Sequence, residues 1–272
     1  MRNPTLTVPL ADEVGHDTLA FYRHVLESLN VSGDRFLVGG AYAFNHYTGI
    51  SRHTKDLDIF IREQDFPQVS EALHQAGYET ELTYPHWLAK AARGGDYIDL
   101  IFSSGNGVAT VDDEWFDHAP PAEILGVGVR ICPVEEMIWS KSFIMERERF
   151  DGADVAHLLH ATGDQLDWHR LLRRFGAHWR VLLSHCVLFG FTYPDYRHHV
   201  PLWVMEELIE RLRHEAHTPP EGRKICQGTL LSREQYLADV EKWGYRDARL
   251  VPLGNMTASE TAHWTDAIKD KH

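Results

Sequence analysis

Apolar positions recur at helical spacing near the start of the chain. Leu19, Phe21, Tyr22, Val25, Leu26 and Leu29 share one face, which predicts an amphipathic helix over residues 14–30. Ser32, Gly33 and Asp34 break it, and the first ten or so residues read as irregular. Residues 35–38 form a short apolar run of strand type. Residues 41–47 are helical in composition, with Gly49 as the stop. Over 55–61 the period changes to two. Leu57, Ile59 and Ile61 alternate with Asp56, Asp58 and Phe60, as in a strand with one face in the core. A helix over 66–76 ends at Gly77. Strands follow over 78–83 and 97–102, with a weaker one over 87–92 between them and a last one over 127–132.

From Pro133 the pattern turns helical. Proline suits a first helical position, and Glu135 and Glu136 suit the positive end of the helix dipole. Val134, Met137, Ile138, Lys141, Ile144 and Met145 fall on one stripe. Further helices are expected over 151–161, 167–175, 177–189 and 201–216. The run HEAHTPPEGRK, polar with two prolines, reads as a linker. The tail from about residue 222 is expected to dock on the helical half, or to serve as a partner-binding element. No internal repeat, heptad run or low-complexity tract interrupts this order. The expected division is a core over 1–132, a helical domain over 133–216, and a linker with a C-terminal extension over 217–272. The expected fold class is α+β: a small mixed β-sheet with helices on one side, followed by a helical bundle, with the active cleft between sheet and bundle.

Composition narrows the reading. The 272-residue chain is 43% hydrophobic and 25% charged, which is enough apolar material for a sizeable core. A formal net charge of −13 argues against sequence-independent grip on nucleic acid, though a local basic patch stays open. The 18 histidines mean that mild acid would cancel much of that charge. Cys132, Cys186 and Cys226 lie far apart without CxxC spacing, so neither a disulfide framework nor a structural zinc site is expected. The N-terminal run has no apolar core of signal-peptide type, and no stretch approaches the roughly 18–20 apolar residues of a membrane span. The expected place is the cytoplasm, with no membrane partner.

The candidate chemistry sits where the two kinds of period meet. Gly39 and Gly40 end the first strand and open a helix. Asp56 and Asp58 stand two apart on the next strand, so they share a face about 7 Å apart. Asp99, between Ile98 and Leu100, points away from the apolar face of its own strand. Carboxylates of this kind suit Mg²⁺ or Mn²⁺, which bind through one or two carboxylates plus substrate phosphates. A third acid from a neighbouring strand completes a two-metal clamp, or takes the proton of an attacking hydroxyl. A Gly-Gly turn at a helix N-terminus lets backbone N–H groups approach a triphosphate. Any one of these motifs alone is more often a turn or solvated charge; the ordered combination is much rarer by chance.

The stretch LVGG, AYAFNHYTGI, DLD and YIDL resembles the DNA polymerase β-like nucleotidyltransferase superfamily. GGAYAFNHYTGISRHTKDLDIF is most similar to the bacterial branch that contains toxin-type nucleotidyltransferases of abortive-infection systems. The resemblance covers roughly residues 30–160. It implies that Gly39 and Gly40 touch the nucleotide phosphates, with Arg52 and Thr54 as further nucleotide-binding residues before the DxD. It implies that Asp56 and Asp58 hold the metals, with Asp99 as third ligand and candidate general base. A second matching run holds Pro133, Glu135, Glu136, Lys141, Arg147, Arg149, Asp151 and Asp154. Lys141 also stands out by itself, because a charge on an apolar stripe needs a carboxylate or a phosphate to pair with. His46 and His53 flank the site region. His198–His199 and the pair His214, His217 read as solvated, and Trp168, Trp179 and Trp203 as core.

The implied activity is transfer of NMP from an NTP, ATP among the candidates, to a hydroxyl or phosphate acceptor in RNA, protein or a small molecule. Mg²⁺ or Mn²⁺ is the implied cofactor. The alternative is a catalytically inactive module of the same fold, acting as a sensor or a toxin–antitoxin partner. A purely structural role built around the tail is a third reading.

Overall fold

The computed structural model describes residues 15–51, 54, 56–220 and 222–267. The first residues read as irregular, Arg52, His53, Lys55 at the expected start of a strand, and Glu221 in the expected linker lie outside the described residues. The chain divides into two compact units. One holds the residues up to Ser104 together with Thr110–Pro133, and the other holds Gly105–Ala109 together with Val134 onward.

In the first unit, five strands form one sheet. They are β1 (Leu37–Val38), β2 (Asp58–Phe60), β3 (Glu79–Tyr84), β4 (Leu88–Arg93) and β5 (Asp96–Ile101), in the spatial order β1-β2-β5-β4-β3. β2 and β5 run parallel and the other neighbours antiparallel, so the sheet is mixed and the fold class is α+β, as the pattern predicted. The two central strands carry the most apolar faces: Leu57, Ile59, Ile61, Ile98 and Leu100 are fully buried. Each such side chain contributes about 1.5–3 kcal/mol by leaving water. α1 (His16–Ser32) buries Phe21, Tyr22, Val25, Leu26 and Leu29, and packs on β5 and on α3 (Phe66–Gln75), which buries Val69 and Leu73.

The sequence pattern is met in part. The strand expected over 87–92 is a full member of the sheet, because Gly94 and Gly95, both at positive φ, close a two-residue hairpin to β5. A short helix, α4 (Asp113–His118), and a strand, β6 (Pro121–Ile124), were not expected. Six and four residues are too few to establish a period. The strand expected over 127–132 is β7 (Val127–Arg130). It pairs with β6 in a separate hairpin, turned by Leu125 and Gly126, and only Ile131 and Cys132 reach the β1 edge.

The second unit is helical. α5 (Val134–Lys141) packs on α6 (Gly152–Thr162) and α7 (Trp168–Phe175), and α8 (Trp179–Thr192) packs on α6, α7 and α9 (Leu202–His217). α5 stops at Lys141, so Ile144 and Met145 do not continue its stripe. The tail contains β8 (Ile225–Cys226), β9 (Arg246–Asp247), α10 (Leu237–Glu241) and α11 (Ala258–Asp266). It docks within this unit. Met145 N–H donates to Leu231 O at 3.1 Å, and Ser232 Oγ donates to Glu146 Oε2 at 2.6 Å. Asn106 donates to Leu230 O at 2.6 Å and Asn255 to Gly107 O at 2.9 Å, so the tail also holds the 105–109 segment.

Glu135 and Glu136 do more than complement a helix dipole. Both are buried at the start of α5 against Arg170 and Arg174, one turn apart on α7. Arg170 pairs with Glu135, whose Oε1 also accepts from Asp167 N–H at 2.8 Å. Arg174 Nε donates to Glu136 Oε1 at 3.0 Å. Burial pushes the Glu136 carboxyl up to about 7, outweighing the pull of Arg170 and Arg174. A raised carboxyl favours the folded state when protonated. Its contribution is full below its ordinary value of 4.5 and is lost as pH rises through about 7. Glu136→Gln should therefore gain stability relative to wild type as pH rises through that window. Urea unfolding of both proteins across it measures the difference, and a pH-independent difference would contradict the assignment.

Candidate active site

The site is built on a contact between a turn and a strand. Gly39 N–H donates to Asp58 O at 2.9 Å, which ties the end of β1 to β2. α2 (Gly40–Thr48) starts at once, with Gly40 at φ +53. A Cβ on Gly40 would stand 1.7 Å from Asp58 Oδ2, and one on Gly39 would stand 2.3 Å from the Phe60 ring. Both glycines are thus required by the close approach of β2, and Asp58 lies at the positive end of α2.

The three acids come from two adjacent strands. Asp58 and Asp99 are register partners across the parallel β2–β5 pair, so their side chains leave the same face about 4.8 Å apart at the backbone. Asp56 precedes β2 by two residues. Its backbone is held by Thr54, whose hydroxyl donates to Asp56 O at 2.9 Å and accepts from Asp56 N–H at 3.3 Å. Asp56 Oδ1 is buried and has no hydrogen-bond partner among the described residues. The Tyr97 hydroxyl lies beside the Asp56 carboxylate. That proximity, then burial, then the charge of the three aspartates push the phenol up to about 12. Burial raises the Asp99 carboxyl, against the pull of Lys90, whose Nζ donates to Asp99 Oδ1 at 2.7 Å. Burial alone pushes Tyr42 on α2 up to about 12 and lowers His46.

The structure thus brings Gly39, Gly40, Thr54, Asp56, Asp58 and Asp99 into one region of the first unit. Arg52 and His53 lie outside the described residues. Lys141 belongs to the second unit. There it ends α5 and donates to Asp154 Oδ2 at 2.8 Å and to Asp151 Oδ2 at 3.1 Å. Burial would raise Asp151, but Arg149, bonded to it at 2.8 Å and 2.9 Å, and Lys141 hold its carboxyl below the usual range. Lys90 and Tyr97 join the site without having stood out in the sequence. The Gly94–Gly95 turn is the signal that finds Lys90, since a two-residue hairpin there pairs Lys90 with Asp99.

The donor set fits a hard divalent ion. It consists of carboxylate oxygens, one of them buried and unpaired, beside a helix N-terminus. Among the described residues, no three histidine, cysteine or carboxylate side chains stand as a ready ligand group. Two carboxylates plus substrate phosphates are what Mg²⁺ usually takes from a protein. No helix among the described residues is long and apolar enough to cross a membrane.

The sequence model of a family described as uncharacterised nucleotidyltransferase matches residues 35–185. No curated protein matches the chain. Among solved structures, the antibiotic-resistance factor ANT(2″)-Ia is 16% identical, with 75% of this chain and 99% of that one covered and a TM-score of 0.38. The lincosamide antibiotic adenylyltransferase LnuA is 16% identical, covering 54% and 98%, at a TM-score of 0.37. JHP933 from Helicobacter pylori is 12% identical, covering 75% and 98%, also at 0.37. These likenesses are too distant to carry an inference about chemistry.

Glycine at position 40 is testable against a neighbour. Gly49 also has positive φ, +71, but nothing stands within 4 Å of its missing Cβ. Both Gly40→Ala and Gly49→Ala carry a backbone cost of about 1–2 kcal/mol. Gly40→Ala should add about 1–3 kcal/mol from the clash with Asp58. Equal urea midpoints for the two variants would show that the close approach is not a constraint.

Proposed function

The chain belongs to the uncharacterised nucleotidyltransferase family, and from that premise we propose a metal-dependent transfer of NMP from an NTP to a hydroxyl or phosphate acceptor. Family membership makes the protein a transferase. The observation that carries the finer reading is the buried, unpartnered Asp56 Oδ1 beside the register-paired Asp58 and Asp99. That one oxygen is desolvated with no hydrogen-bond partner among the described residues, which is costly unless a cation or a proton meets it.

Asp56 and Asp58 would hold Mg²⁺ or Mn²⁺, with Asp99 as the third acid. An ion bound there would supply charge neutralisation and polarisation of the phosphate. The chain's own groups do the rest. The N–H groups that open α2 after Gly39 and Gly40 orient the phosphates, as a helix N-terminus does for anions. Thr54 fixes the backbone of Asp56. Asp99 accepts the proton of the acceptor hydroxyl. The acceptor oxygen then bonds to the α-phosphorus, the bond from that phosphorus to the bridging oxygen breaks, and pyrophosphate leaves. Lys141 and Arg52 are proposed as further phosphate contacts. Within the family, the Arg52, Thr54 and DLD run supports the toxin-type branch of abortive-infection systems. The acceptor would be an RNA, a protein side chain or a small molecule, and the C-terminal extension would be the place for a protein partner.

One observation favours the second reading, an inactive binding module: Asp99 is tied up by Lys90. A single experiment separates the two. Isothermal titration with each of the four NTPs, with and without Mg²⁺, is run on wild type and on Asp56→Ala/Asp58→Ala. Losing two direct ligands should weaken metal-dependent binding by more than the roughly 10–100-fold that loss of a second-layer partner costs. The NTP that binds is then used, labelled at its α-phosphate, in an acceptor screen. Absence of NTP binding by folded wild type would sink the nucleotidyl-transfer mechanism; binding without transfer to any acceptor would favour the inactive module.

A further inference from the structure

The acid cluster carries a cation of its own. Lys90 stands opposite Asp99 across the β4–β5 pair, and its Nζ bonds to Asp99 Oδ1 at 2.7 Å. Tyr97, two residues before Asp99 and therefore on the same face, presents its ring to the same ammonium, 3.9 Å from the centroid. The Tyr97 hydroxyl in turn lies beside the Asp56 carboxylate. One lysine thus touches the third acid directly and contacts the ring that stands next to the first. The ion pair is largely shielded, with side-chain exposure of 33% for Lys90 and 17% for Asp99. Ala89 and Ala91, fully buried on either side of Lys90, lock the strand so that Lys90 stays on the acid face.

We propose that the Lys90 ammonium is the resident counter-ion of Asp99 and takes the place of a second divalent cation, so that the nucleotide-free protein binds one such ion, on Asp56 and Asp58. This rests on reading the acid cluster as a metal site. Two cations sharing one carboxylate repel strongly at a few ångströms, even with the screening found near a protein surface. A divalent ion arriving at Asp99 must therefore displace the ammonium. A bound triphosphate changes that balance, because it brings negative charge for the incoming ion and a new partner for the displaced lysine. Lys90 then gates the second ion on the presence of nucleotide.

The test is a count of Mn²⁺ bound by the full chain without nucleotide, from the electron paramagnetic resonance signal of the free ion and from calorimetry. Wild type should bind one Mn²⁺. Lys90→Met should bind a second, at least about tenfold tighter than any second ion in wild type, once the competing charge is gone. Lys90→Arg keeps the charge and should bind one. Asp99→Asn in the Lys90→Met background should remove the second ion and keep the first. Two ions in wild type, or a Lys90→Met titration identical to that of wild type, would overturn the role of Lys90 alone. No Mn²⁺ bound by wild type or by Lys90→Met would instead overturn the metal reading itself. The wild-type count needs no variant, and thermal unfolding of each variant shows that it is folded.

Discussion

Everything at the site follows from how closely β2 approaches the turn that begins α2. Asp58 Oδ2 rests against Gly40 and the Phe60 ring against Gly39, with no room for a Cβ at either position. The Gly39 amide bonds to Asp58 O. One contact therefore sets the first strand's edge, the start of the helix and the second acid together. The need for two glycines is met inside the protein, before any ligand is considered. The parallel pairing of β2 with β5 then delivers Asp99 beside Asp58 without further adjustment.

Bringing three carboxylates to one face of a sheet has an electrostatic cost that the chain offsets locally. Asp58 sits at the positive end of α2, Asp56 lies beside the Tyr97 hydroxyl, and Asp99 takes a hydrogen bond from Lys90. Each device serves a single acid, and each comes from a different element. Asp56 Oδ1 remains buried without a hydrogen-bond partner among the described residues, so the compensation they provide is incomplete at one oxygen. Incomplete compensation at a named atom is the physical reason to look for a cation there, and a fully paired cluster would have read as structural.

Residues 36–60 and 97–102 were readable because their period and their chemistry coincide. Leu57, Ile59 and Ile61 against Asp56 and Asp58 report one strand and one acid face in the same seven residues. Most helices followed from equally long periodic runs, while the mixed sheet followed from the order of elements together with the resemblance. What escaped was short or non-local. α4 and β6 are shorter than the window in which a period shows. The pairing of 127–130 with 121–124 depends on a turn at Leu125 and Gly126, in a run that reads as continuous apolar sequence. Nothing in the period of the alanine-rich run around Lys90 singles that residue out. Only the hairpin register gives it a carboxylate, and the Gly94–Gly95 pair did encode that register.

The second unit shows why a residue's charge cannot be read from its position in a helix alone. Glu135 and Glu136 satisfy the rule that acids favour a helix start, yet both are buried and matched by Arg170 and Arg174. Buried ion pairs of this sort are often no more stabilising than a packed apolar replacement. Their effect here is geometric. The first turn of α5 is pinned to α7 by these pairs, and its last residue, Lys141, is pinned to Asp154 of α6 and to Asp151 just before it. An eight-residue helix is marginal by itself, and two charged anchors, one at each end, leave it a single placement between α6 and α7. An apolar stripe alone tolerates rotation and sliding; directional bonds at both ends do not. Lys141 is therefore held at a defined point within its unit by the two carboxylates it meets.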